Sequence, residues 1–130
     1  MNSAIELHDT FVSGIERQSN NVIIHFSEAY IHKSQGEIGV APSTGWIQAA
    51  ELTLTKARMV GKLPTFPAEV DDGYIKVNEK PPSMIPIPLD YQGDIELKLM
   101  FYSGEEVTLN AEGAKLRLLG DAEFIENFPH

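Results

Sequence analysis

Apolar and polar residues alternate with a period of two along most of this chain, the pattern of strands that bury one face. The alternation is clearest from Ile95 to Phe101, where Ile95, Leu97, Leu99 and Phe101 interleave with Glu96, Lys98 and Met100. It resumes at Val107 and runs to Leu118. A three-residue loop at Ser103-Gly104-Glu105 predicts that Phe101 meets Val107 and Leu99 meets Leu109. Glu112-Gly113 then reads as a two-residue turn joining Ala111 to Ala114.

Three further regions carry strand signals. Leu7–Arg17 and Val22–Lys33 read as a first hairpin turning at Asn20-Asn21, since Asn tolerates the left-handed conformation of tight turns. Asp72-Gly73 predicts a second hairpin that sets Val70 against Ile75. Trp46–Val60 is ambiguous. Trp46, Ala49, Ala50, Leu54 and Ala57 fit a helical spacing, while Leu52-Thr53-Leu54-Thr55 has strand composition. The favoured reading is a long strand bulged near Ala49-Ala50.

Between these elements lie two irregular stretches. Ser34–Gly45 holds Gly36, Gly39, Pro42 and Gly45, and loops of this length in compact domains are often functional. Lys80–Leu89 holds Pro81, Pro82, Pro86 and Pro88, so it reads as an edge strand or connector. Its alternating Ile85, Ile87 and Leu89 lay one side on the core. Gly120–Phe128 docks through Phe124, Ile125 and Phe128 as a short strand or helical turn.

The expected fold is therefore all-β, an antiparallel sandwich or partly open barrel built from hairpins and a C-terminal meander. The alternative is α+β, with one helix near residues 46–60. At 130 residues the chain reads as a single domain spanning 1–130.

Composition narrows the function classes more than it selects one. The chain has no cysteine, which excludes disulfides and thiolate chemistry and fits a reducing cytoplasm. No secretion signal and no membrane-length apolar run is visible, so the expected location is cytoplasmic with no membrane partner. The formal charge is −9, and residues 71–130 hold twelve acids against five bases. That acidity argues against nucleic-acid binding, and only Lys56, Arg58 and Lys62 cluster among the bases. No phosphate-loop, nucleophile-elbow or close-spaced metal motif is present, so no cofactor is expected.

Candidate chemistry lies in the first hairpin. A turn at Asn20-Asn21 sets Glu16 opposite His25 and Asp9 opposite His32, close enough for carboxylate–imidazole hydrogen bonds. Asp9 and His32 share a strand face with Phe11 and Tyr30, just before the glycine-rich loop. They are the weak catalytic candidates, an acid–base pair for a small hydrolase or isomerase. Tyr30, His32, Trp46 and Asp9 are the candidate ligand- or partner-binding residues. A metal site on His8, His25 and His32 is the weaker alternative, because His25 and His32 differ by an odd number and point to opposite faces of a flat strand.

Leu7-His8-Asp9, Ala29-Tyr30-Ile31-His32, Gly45-Trp46 and Glu123-Phe124-Ile125-Glu126-Asn127-Phe128 together resemble small bacterial single-domain proteins of uncharacterised function. The resemblance spans nearly the whole chain. It implies a bacterial stand-alone domain and transfers no catalytic residue. The expected function is a non-enzymatic binding or scaffold domain that meets a protein partner or small ligand through the 34–46 loop. Homodimerisation through an edge strand is a further expectation.

Overall fold

The computed structural model describes residues 1–129 and is all-β, with no helix among them. Eight strands follow in order: β1 (Asn2–Gln18), β2 (Asn21–Ser34), β3 (Ser43–Thr55), β4 (Arg58–Gly61), β5 (Ala68–Val77), β6 (Ile85–Ile87), β7 (Asp90–Phe101) and β8 (Glu106–Phe128). Every pairing is antiparallel. The strands β1-β2-β3-β8-β7-β5 form a ring that returns to β1 through only Phe11↔Glu69 and Val12↔Ala68. This narrow closure makes a partly open ring rather than a strict barrel. Among the described residues no helix is long and apolar enough to cross a membrane.

The alternating apolar positions fill the ring. Ile5, Ile24, Phe26, Leu52, Leu54, Ile75, Leu97, Leu99 and Leu109 are all buried in one cluster. The segment 46–60 is strand, as the Leu52–Thr55 composition indicates, and the helical alternative fails. A register shift on β8 between Ile47 and Ala49 lies beside the expected bulge. Lys56, at φ +47, then breaks the ladder, and β4 resumes pairing farther along the same edge of β8. The proline-rich stretch supplies β6, an edge strand that pairs only with β1 and buries Ile85.

Two expected turns are not turns. Asp72-Gly73 sits inside β5, at a bulge opposite Met100, and Glu112-Gly113 sits inside the unbroken β8. Both glycines serve close approach instead. A Cβ on Gly73 would clash with the Lys98 carbonyl, and one on Gly113 would lie 3.2 Å from the Tyr91 carbonyl. The β7–β8 register is also two residues from expectation, with Leu99↔Val107 and Leu97↔Leu109. Its loop starts at Tyr102, and the Phe101 N–H donates to the Glu105 carbonyl at 2.9 Å.

The first hairpin turns one residue early, at Ser19-Asn20, with Gln18↔Asn21 and Ser19 at φ +57. Ile15 therefore faces Ile24. Farther up, β1 bulges between Glu6 and Phe11, with Asp9 at φ +70. Buried Thr10 closes this bulge: its hydroxyl donates to the Glu6 carbonyl at 2.7 Å and accepts the Tyr30 N–H at 3.1 Å. The bulge also re-aims β1 from β6 towards β5.

Candidate functional site

The bulges in β1 and β2 decide which residues meet at the upper end of the ring. On β2 the ladder with β3 skips between Phe26 and Ala29, so the inward positions change from even to odd numbers. Ile24 and Phe26 point inward below the shift, Ala29 and Ile31 above it, and all four are buried. Tyr30 and His32 consequently share the outer face, opposite Glu6 and Ala4 of β1.

That outer face is closed, not open. His32 Nε2–H donates to Glu6 Oε1 at 3.0 Å, and the Tyr30 hydroxyl donates to Glu126 Oε1 at 2.5 Å. Phe128 packs over both rings, at centroid distances of 5.1 Å to His32 and 6.5 Å to Tyr30. His32 and Tyr30 are left 8% and 9% exposed. Gly45 makes this possible, since a Cβ there would overlap the Tyr30 hydroxyl and come within 3.1 Å of Phe128. Burial, followed by the bond to Glu126, pushes the Tyr30 phenol well above its ordinary value of 10.0. The arrangement is a latch that holds the end of β8 onto β2.

The expected Asp9–His32 pair does not form. The β1 bulge carries Asp9 away from His32, and its carboxylate lies 3.5 Å from His8 Nε2. Glu6 takes its place beside the imidazole. Glu16 and His25 do meet, at 2.7 Å, although they are diagonal rather than opposite. His25 also lies 3.9 Å from Glu51, which accepts from Arg117 at 3.0 Å, so a row of polar side chains runs across β1, β2, β3 and β8. His8 Nδ1 is 2.6 Å from the Asp71 carbonyl. The three histidines thus have separate partners, and no metal-holding group of three forms among the described residues.

Trp46 lies on the opposite face of β3. Its indole N–H donates to Thr44 Oγ1 at 2.8 Å, Phe124 packs edge-on at 5.4 Å, and Lys33 Nζ sits 4.4 Å from the ring centroid. Beside these residues, at the tip of the β2–β3–β8 arm, is a cavity of about 590 Å³. Met1, Pro42, Phe128 and Pro129 give it apolar walls, and Lys33, Ser43 and Thr44 give it polar groups. Gln35 and Pro42, the two ends of the loop 35–42, lie in its wall. Ser34 staples its base, donating to the Pro42 carbonyl at 3.0 Å and accepting from the Gly36 N–H at 3.2 Å. Asn2 adds a bond to the Gly36 carbonyl at 2.7 Å.

The structure thus brings Tyr30 and His32 together, places Trp46 behind them and gives Asp9 no hydrogen bond to any of the three. Glu6, Gly45, Glu126 and Phe128 complete the cluster without having been singled out as site residues. The nearest sequence signals are Gly45 beside the sole tryptophan and the aromatic spacing of the last strand. Comparison with protein-family models, curated proteins and solved structures finds no match to this chain.

Proposed function

We propose that this chain is a binding domain that takes a small ligand or a short partner segment in the cleft at its tip. The observation that carries this reading is the 590 Å³ cavity walled in part by the ends of the 35–42 loop, within the size range of ligand sites. Its apolar walls and the Lys33 ammonium favour an occupant with an apolar body and an acidic or hydrogen-bonding end. The rigid sheet and the stapled loop base limit the ordering cost of binding. Catalysis is the weaker reading, because His32 is committed to Glu6 beneath Phe128 and Asp9 is elsewhere.

The test uses 8-anilinonaphthalene-1-sulfonate, an apolar anion of suitable size, with its own emission as readout. Saturable binding is expected, weakened several-fold in Lys33→Met and lost in Asn127→Phe, which fills the cleft. Unchanged binding in a folded Asn127→Phe protein would remove the cleft from consideration.

A further inference from the structure

A second cavity, of about 540 Å³, lies at the opposite end of β3, where the chain turns from β3 into β4. Its lining includes Lys56, Arg58, Asn20, Asn110 and Glu112. In a chain of net charge −9, two cations line this one cavity. Among the described residues neither Lys56 nor Arg58 is in an ion pair. Each is therefore free to meet a ligand charge without first giving up a protein partner.

The backbone that presents them is fixed. Lys56 N–H donates to Asn21 Oδ1 at 3.2 Å, and Ala57 N–H donates to the Asn20 carbonyl at 2.8 Å. Arg17 reaches across from β1 to donate to the Ala57 carbonyl at 3.2 Å, which adds a third positive charge to the corner. Lys56 occupies the left-handed region at φ +47, which marks the turn between β3 and β4. Arg58 is registered against Asn110 on β8. A planar guanidinium fork and a compact ammonium, flanked by two carboxamides, suit a tetrahedral dianion better than a single carboxylate.

We propose that this corner is an anion site that binds the phosphate group of a small phosphorylated molecule. Lys56 and Arg58 hold the phosphate oxygens, and Asn20 and Asn110 hydrogen-bond the remainder. Glu112 opposes the anion from the cavity wall and sets a ceiling on its affinity. The site is separate from the cleft at the tip and does not depend on the reading given to that cleft.

The experiment is an amide chemical-shift titration with inorganic phosphate at constant ionic strength, with acetate as the comparison anion. Phosphate should give a saturable response confined to residues around Asn20, Lys56, Arg58, Asn110 and Glu112, and acetate should not saturate. Lys56→Met and Arg58→Gln should each weaken phosphate binding about tenfold, and Glu112→Gln should tighten it about threefold. The last change cannot come from a loss of folding, so it separates the site from a general effect of substitution. A response that stays linear, spreads equally to a distant lysine such as Lys33 at the other end of the sheet, or is matched by acetate would overturn the proposal. So would a Glu112→Gln protein that binds phosphate no better than the parent.

Discussion

The two halves of β8 are one strand with two kinds of support. From Glu106 to Lys115 it is paired on both edges over most of its length, with β7 on one side and β4 then β3 on the other. Val107, Leu109, Ala111 and Ala114 are buried there. From Arg117 to Phe128 it pairs with β3 alone, and Leu118, Phe124 and Ile125 are substantially exposed. The first half is held by the interior of the ring. The second is held by contacts on its faces, chiefly Tyr30–Glu126, Phe128 on His32, and Phe124 on Trp46. Its open edge is protected in the usual way, by register shifts against β3 and by Asp121, Glu123 and Glu126.

By that contrast, a core deletion in the first half should act on the whole molecule, and one in the second half only locally. Leu109→Ala removes a fully buried side chain, and such changes cost about 2–5 kcal/mol. It should lower Tm sharply and reduce amide exchange protection across every strand. Phe128→Ala should shift Tm less and reduce protection only in residues 117–128 and the β3 residues they pair with. Equal loss of protection across both halves in Phe128→Ala would show that β8 unfolds as one unit.

Gly45 offers the next largest effect. In Gly45→Ala the new methyl meets the Tyr30 hydroxyl and Phe128 together, so the latch must open or shift. Overpacking of this kind costs about 1–3 kcal/mol. The expected signature is loss of exchange protection over 117–128 with 106–116 unchanged. A stability equal to the parent, with the tail still protected, would show that the latch has slack.

These glycines also show why the face of each strand was legible in the sequence while its partners were not. Alternation told correctly that Ile95, Leu97, Leu99, Val107 and Leu109 point inward, since a two-residue error in register leaves the face unchanged. It could not tell a glycine that turns the chain from one that lets two backbones approach. Gly73 and Gly113 belong to the second kind and kept β5 and β8 running where hairpins were expected. The site was lost for a related reason. A bulge adds a residue without altering composition, and the one after Glu6 carried Asp9 away from His32 and brought Glu6 in. Tyr30 and His32 still shared a face, because both lie above the single shift in β2.

Titration of Tyr30 tests the latch without a packing defect. Its phenol is raised above the ordinary value of 10.0, so the neutral form is favoured by folding. The stabilisation is then fully present below about pH 10 and is lost as pH rises above it. Tyr30 should ionise after Tyr74 and Tyr102 in a spectrophotometric titration. Glu126→Gln should bring its midpoint down, though only in part, because burial is the larger cause. An unchanged midpoint in Glu126→Gln would mean that the carboxylate does not hold the tail.

His8 marks the contrasting case, a titrating group on the surface of β1 with no part in the latch. Its pKa is raised from 6.5, first by the Asp71 carbonyl that accepts from its protonated ring, with Asp9 and Glu6 adding attraction and burial opposing them. The charged form is favoured by folding, so its contribution is complete below about pH 6.5 and disappears as pH rises past the folded midpoint. With its side chain 47% exposed, solvent screens most of this, and the change in Tm should be barely measurable. A two-dimensional NMR titration should nevertheless place its midpoint above 6.5. Asp9→Asn should lower it only partly, since the Asp71 carbonyl is the stronger cause. A midpoint that falls all the way to 6.5 in Asp9→Asn would reverse that ranking and make Asp9 the residue that fixes His8.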